Sequence, residues 1–380
     1  MAQGCERRCA GGRSSAREDP RPYRGGAGKM PHPFTQTEEA EFVRPAGSYG
    51  KRGFFFFCLG SVARELTERT FATPAQPTTI QHWQLRDLVA SSDNSSEVYC
   101  VNGEKVMLYS TRTQSSKLVQ QLNYQPTSMT VAHGFLATGG TKSELDVFSL
   151  TEGTICKNYV GGNVNNALHI GQDCSGELRL FLSNNDKTVK VFSLPSMTVI
   201  VTLTFPIAIN YASLSPDGKF LVAVGDSNQT YLYSAVQNSG YQRIRTFSEA
   251  TDSGMCCAWN SSGMCFASAS QDGSVCVWDL RSTKVLAKLQ TQDKNACRVV
   301  KFSSGLTDLM AFSEHHSRFH IVDARTFAYE QVVSAAPERD ISGLCFTPNG
   351  SKVYSCIGDN LLEYDVDQTS RRSFPDGEVI

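Results

Sequence analysis

Apolar and polar positions change character near residue 81. Beyond it, short apolar runs follow one another, separated by clusters of Gly, Asn, Asp and Ser, which is the pattern of an all-β protein. Seven of the runs align: KVMLYST, ELDVFSL, TVKVFSL, TYLYSA, SVCVWDL, RFHIVDA and LLEYDVD. Each carries a large or branched residue followed by a small or acidic one. With Tyr109, Phe148, Phe192, Tyr233, Trp278, Val322 and Tyr364 as anchors, the successive spacings are 39, 44, 41, 45, 44 and 42 residues. A period of about 40–45 residues is that of a four-stranded propeller blade.

The interior of each period repeats as well. An apolar strand such as YASLSP, CCAWNS, VVKFSS or GLCFTP comes first, and a Gly turn follows in most copies, as at Asp217-Gly218, Ser262-Gly263 and Asn349-Gly350. A second strand, a tight turn and the anchor strand come next, and then an outer strand such as TVIVTLTF. Gly139-Gly140 and Gly161-Gly162 are expected in hairpin turns. SVCVWDL is apolar on both faces, as blades stacked on blades require. A β-sandwich would not need seven evenly spaced copies. The expected fold is therefore all-β, a single seven-bladed β-propeller. An open ring would leave a sheet edge unpaired, so one terminus must complete the blade built by the other. Phe71–Trp83 or the tail around Arg372–Phe374 could do so; the N-terminal side is favoured because the tail is short and contains Pro375.

The front of the chain reads differently. The first ~30 residues are rich in Arg, Gly, Ser and Pro and too poor in large apolar side chains to offset the entropy of ordering. Residues 1–80 are expected to form a disordered or irregular extension, 81–374 the propeller and 375–380 a tail. The longest apolar run, Gly53 to Gly60, is far shorter than the ~20 residues of a spanning helix.

Charge narrows the function classes. Lys+Arg is 36 and Asp+Glu 37, a net of -1, which gives no general attraction to nucleic acid or to an anionic membrane. Residues 1–80 carry 12 basic and 8 acidic side chains and the remainder 24 and 29, so the repeat region is mildly acidic. The 13 cysteines are an odd number, and Cys256, Cys257, Cys265, Cys276, Cys345 and Cys356 fall in apolar runs. Such residues act as small buried hydrophobes. With no visible secretory signal they point to a reducing compartment, cytoplasm or nucleus.

The stretch SASQDGSVCVWDLRS, residues 268–282, resembles the end of a WD repeat. Asp272 lies six residues before Trp278, where that family places its turn Asp, and Asp186 lies six before Phe192. The equivalent positions elsewhere hold Ser227, His316, Gly358 or Lys142, and the Gly-His dipeptide opening typical repeats is missing. The resemblance implies a divergent WD-repeat propeller with few His–Asp–Ser–Trp networks. The C-terminal part, through the Arg371 to Pro375 motif Arg-Arg-Ser-Phe-Pro, resembles a group of uncharacterised fungal and plant WD-repeat proteins.

No catalytic constellation is found. His82, His133, His169, His315, His316 and His320 show no metal spacing with a carboxylate partner, and no phosphate loop is present. His315 and His316 fall in a tight turn and are read as turn residues; Asp272, Asp279 and Asp365 are read as turn and strand-end residues. No catalytic residue, cofactor or metal is expected. The resemblance implies a non-catalytic scaffold or adaptor that binds other proteins, expected to be monomeric, and the charge balance points to neither nucleic acid nor membrane as partner. Trp278, Asp279 and Arg281 form a Trp-Asp-x-Arg motif, with a weaker copy ending in Arg325. In some WD proteins such an Arg binds the adaptor of cullin-4 ubiquitin ligases, so a substrate receptor of that ligase is one alternative. A propeller enzyme is another, and it would need several acidic or His side chains converging on the central channel.

Overall fold

The computed structural model describes residues 69–72, 87–236, 240–291, 293–358 and 360–367. The tail motif, His82, and all of the front extension except 69–72 lie outside them. Among the described residues the structure is all-β, apart from one 3-10 turn at Gly305–Thr307. Five sheets have four strands each, paired in chain order. A sixth has seven strands, because Glu330–Phe346 is shared. Its first half pairs with His316–Asp323 and its second half, from Ile341, with Lys352–Ile357. Counted on both sides of that strand, the described residues form seven four-stranded groups in succession, blades 1 to 7.

The inner strands of blades 1 to 6 are Val89–Ser91, Ser128–Ala132, Asn165–Gln172, Ile209–Leu214, Gly254–Trp259 and Cys297–Phe302; residues 341–346 serve blade 7. All seven anchors fall in third strands. In four blades the anchor also marks a shift in register against the outer strand, at Val147/Phe148, Val191/Phe192, Leu232/Tyr233 and Val277/Trp278. One residue is bulged there, which sharpens the twist of the outer strand. The sequence repeat thus follows a geometric repeat.

Burial explains the patterning. All six residues of Ser274–Asp279 are buried, as are those of Ile209–Leu214 and Leu309–Glu314, because a blade is covered on both faces. The outer strand Val285–Gln290 alternates half-buried and exposed, because its far edge meets solvent. Apolar clusters fill every seam: Tyr99 with Leu136 between blades 1 and 2, Val147 with Leu168 between 2 and 3, and Val189 with Ile209 between 3 and 4. One larger cluster runs from Tyr211 through Trp278 to Phe312 across blades 4 to 6. Val299 and Leu344 join blades 6 and 7, and Tyr354 and Val98 join blades 7 and 1. Each fully buried aliphatic or aromatic side chain contributes about 1.5–3 kcal/mol, so the seams hold the ring.

Polar bonds add a second, directional link. In five blades the inner strand is bulged after its first residue, as at Asn165/Ala167, Ile209/Tyr211 and Cys297/Val299. Bulged Asn166 donates from Nδ2 to the Ile209 carbonyl at 2.8 Å, and bulged Asn210 to the Gly254 carbonyl at 2.9 Å. Ser128 Oγ donates to the Asn165 carbonyl at 3.0 Å. Blades 2, 3 and 4 each reach the first inner-strand residue of the next blade in this way. Gly161 and Gly162, expected in a hairpin, lie instead in the link from the outer strand of blade 2 to the inner strand of blade 3. The strand that follows them belongs to the next sheet, so no hairpin can form there.

The ring is closed from the N-terminal side. Arg69–Ala72 pairs antiparallel with Asn360–Asp365, with Arg69 opposite Glu363 and Ala72 opposite Asn360, and becomes the outer strand of blade 7. It precedes residue 81, where the repeat becomes readable. Proline at both Thr70 and Phe71 removes a ladder donor whichever residue points inward. The double variant is expected to lose on the order of 2 kcal/mol, a fall of a few degrees in melting temperature. An unchanged thermal melt would contradict this closure.

Candidate functional site

Asp87 stands two residues before the inner strand of blade 1, Tyr211 in that of blade 4 and Lys301 in that of blade 6. These blades are not neighbours, so their side chains can meet only across the channel. Lys301 Nζ donates to Asp87 Oδ2 at 2.8 Å, and Tyr211 Oη donates to the same oxygen at 3.0 Å. Lys301 Nζ also reaches Tyr211 Oη at 3.3 Å. Burial opposes the Lys301 ammonium, but Asp87 outweighs it and holds the group well above the usual lysine range. Burial, then Asp87, pushes the Tyr211 hydroxyl up. His169, on the inner strand of blade 3, is pushed down to about 4, first by burial and then by the Lys301 charge. The group that converges is thus one carboxylate, one ammonium and one phenol, bonded to one another.

Trp278 and Asp279 close the third strand of blade 5, and Arg281 and Arg325 lie in the turns joining third to outer strands of blades 5 and 6. Trp278 is buried, its indole N–H donating to Ser268 Oγ at 3.1 Å and its ring 4.6 Å from that of Phe247. Asp279 ends the strand and accepts from Arg281 three times: the backbone N–H at 2.8 Å and Nε at 2.9 Å reach Oδ1, and Nη2 reaches Oδ2 at 2.6 Å. The paired guanidinium and backbone N–H hold the Asp279 carboxyl down at about 2. The Arg281 side chain is nonetheless 74% exposed. Arg325 repeats the arrangement one blade on, its backbone N–H and Nε reaching Asp323 Oδ1 at 3.0 and 3.2 Å, with 43% of its side chain exposed. The two arginines occupy one position of the repeat on one face of adjacent blades. Arg245, from the outer strand of blade 4, donates to the Leu280 and Ser282 carbonyls of the same turn.

Blade 6 also contains a buried ionic group. His320 Nε2 lies 2.9 Å from Glu314 Oε1 and Nδ1 2.7 Å from Glu330 Oε1, and the ring stacks on Phe312 at 4.3 Å. Asn295 donates to the other Glu314 oxygen at 2.8 Å. With a carboxylate on each ring nitrogen, both must donate, so the ring is an imidazolium. Burial opposes that charge, but the bonds to Glu314 and Glu330 outweigh it and raise the His320 pKa. Burial raises Glu314, but its bonds to His320 and Asn295 bring it below the usual range. Among the described residues no three or more His, Cys, Asp or Glu are placed to hold a metal ion. His315 lies in the turn, 3.8 Å from Asp340, whereas His316, read from sequence as a turn residue, opens the third strand opposite Asp340 and bonds Ser317 at 2.9 Å.

Comparison with known proteins bears on this architecture. The model of the WD domain, G-beta repeat, matches residues 241–279, the outer strand of blade 4 with three strands of blade 5. An uncharacterized protein of Schizosaccharomyces pombe is 32% identical over 326 residues, covering 79% of this chain and 92% of its own length. The chain belongs to the WD-repeat family. Target of rapamycin complex subunit wat1 of the same yeast is 35% identical over 77 residues, 20% of this chain and 24% of that one. Eukaryotic translation initiation factor 3 subunit I of Candida glabrata is 24% identical over 157 residues, 37% of this chain and 45% of that one. A model described as an uncharacterised protein domain (DUF2415) matches residues 295–334, which is blade 6.

Two WD-type turn aspartates work alike. Asp272 Oδ1 accepts from Ser274 N–H at 2.9 Å while Oδ2 accepts from Thr251, in the link leading into the same blade, at 2.7 Å. Asp186 bonds Thr188 and Gly162 in the same way. Ser268, Trp278 and Asp272 are therefore in use, with Thr251 bonded to Asp272 in a repeat that lacks the usual His. The reading from sequence missed Asp87, Lys301, Glu314 and Glu330, and set His320 aside without its two carboxylate partners. A signal existed: Lys301 interrupts the apolar run RVVKF, and His320 stands inside RFHIVD, where other repeats are mostly apolar.

Lys301→Met leaves the Asp87 carboxylate in the channel without its cation and is expected to cost about 3–5 kcal/mol. Asp87→Leu added to it should restore part of that loss in urea unfolding. The His320 pKa is higher in the folded than in the unfolded chain. Its stabilisation is therefore complete below about pH 6.5 and is lost as pH rises through the folded value. The Glu314 contribution is lost instead as pH falls through its lowered value. Urea midpoints should drop on the alkaline side, and His320→Gln should remove that alkaline component.

Proposed function

We propose that the chain is a non-catalytic protein-interaction scaffold whose contact surface is the face bearing the third-to-outer turns of blades 4 to 6. The observation that carries this reading is the pair of arginines at one repeat position in adjacent blades. Asp279 holds the Nε and Nη2 edge of Arg281, so an exposed cation is fixed in place with its Nη1 edge turned to solvent. A side chain already ordered loses less entropy on binding, and the open edge suits a carboxylate. Arg243 and Lys284 add exposed positive charge nearby, and exposed Met264 and Tyr329 supply apolar contacts on the same face. Together they fit an acidic protein segment with an apolar anchor. Two relatives are named as subunits of larger assemblies, which agrees with an adaptor. The buried free thiols suit a reducing compartment, cytoplasm or nucleus.

A second reading is a substrate receptor that engages the adaptor of cullin-4 ligases through Arg281 and Arg325. It is favoured by the recurrence of the Asp-x-Arg geometry in two consecutive blades. Quantitative affinity purification from the native cell tests both, comparing wild type with Arg281→Asp, Arg325→Asp after matching their thermal melts. Loss of a defined set of partners at least about tenfold is expected. Recovery and loss of a cullin-4 adaptor within that set would select the second reading. An unchanged set of partners would refute this face as the contact surface.

A further inference from the structure

Among the described residues no backbone group bonds the far edge of a blade's outer strand, and such edges are normally blunted by charge. Lys117 stands on the edge of blade 1, Lys157 on blade 2, Arg243 and Arg245 on blade 4 and Lys288 on blade 5. Blade 3 differs. Its outer strand, Val199–Thr204, reads Val-Ile-Val-Thr-Leu-Thr, with no charge, Gly or Pro. Val199 and Ile200 are 57% and 51% exposed. The strand pairs with Thr188–Ser193 on one side, and among the described residues no backbone group bonds its other side.

We propose that this edge of blade 3 receives an extended, uncharged, β-branched segment of a partner protein, preceded by an acidic residue, which adds as a fifth antiparallel strand. Main-chain hydrogen bonds would supply the affinity, and Val199 and Ile200 would select against charged side chains, which lose hydration beside them. The acidic residue follows from the neighbouring blade. A Cβ on Gly240 would lie 3.2 Å from Val201, so the outer strand of blade 4 runs alongside. Exposed Arg243 comes three residues later, towards the Thr204 end, and its charge acts on Tyr233 in the seam between the two blades. An antiparallel guest enters at that end, so its acid precedes the neutral run. A second copy of this chain offers no such acid, since Ser196, Met197 and Thr198 precede its own edge.

The probe is a fluorescein-labelled peptide, Asp-Thr-Val-Thr-Val-Thr-Val, titrated with the full chain and followed by anisotropy. Saturable binding is expected, weakened about tenfold or more by Ile200→Lys and by N-methylation of alternate peptide amides. Arg243→Glu should weaken it, and replacing the peptide's Asp by Lys should restore binding to that variant. Leu118→Lys on the blade 1 edge, and Arg281→Asp on the turn face, should leave binding unchanged, which separates this edge from the surface proposed above. The inference fails if no saturable binding occurs, if the methylated peptide binds equally well, or if Leu118→Lys weakens binding as much as Ile200→Lys. It also fails if sedimentation shows a dimer of the chain that Ile200→Lys dissolves, because the occupant would then be a second copy.

Discussion

A strand from one end of the chain, hydrogen-bonded to the last strand of the other, is what makes a row of sheets into a ring. Four residues, Arg69–Ala72, cover the edge of Asn360–Asp365 that would otherwise stay open. With that sheet complete, blade 7 can stand beside blade 1, and the seam between Tyr354 and Val98 becomes a sealed core like the others. Asp87 extends the same closure inward. It enters the channel just ahead of blade 1 and is held there by blades 4 and 6, so the join is braced from the far side of the ring.

Within the closed ring, apolar seams supply most of the cohesion, and polar groups fix how one blade meets the next. The bulged asparagines Asn166 and Asn210 both reach forward, never back, to the opening carbonyl of the following blade. A bulge frees a side chain from the alternation of the strand and aims it across the seam. Blade 6 carries more buried charge than such a role needs. Glu314 and His320 are enclosed there and Lys301 is part-buried, and it is this blade that matches the uncharacterised domain. Enclosed charges with matched partners contribute little net stability over apolar residues of the same volume, but removing one partner is severe. They make this blade less forgiving of substitution than its neighbours.

The repeat was legible because it has two causes that act at every copy. A strand buried on both faces must be apolar throughout, as SVCVWDL is, and a bulged junction with the outer strand recurs at Phe148, Phe192, Tyr233 and Trp278. Closure from the N-terminal side was legible too, since an open edge is a physical liability in any chain. The channel group was not, because Asp87, Tyr211 and Lys301 are separated by more than one hundred and by ninety residues and meet only once the ring exists. The pairing of Asp279 with Arg281 lay within reach of the motif itself, two residues apart at the end of a strand. Trp278 stood out as an aromatic signature, yet it belongs to the core between blades 4 and 5 rather than to the surface.

The unbroken strand Glu330–Phe346 gives the ring an uneven mechanics. Successive blades 1 to 6 are joined by loops, whereas blades 6 and 7 share one strand that turns a corner between Ala336 and Asp340, with Glu338 taking a φ of 58° there. The two blades thus form a double-width stave. Loop-linked blades can change their mutual angle by rotating a few backbone torsions, whereas blades 6 and 7 share one continuous run of extended backbone, so a displacement of one is geometrically tied to the other.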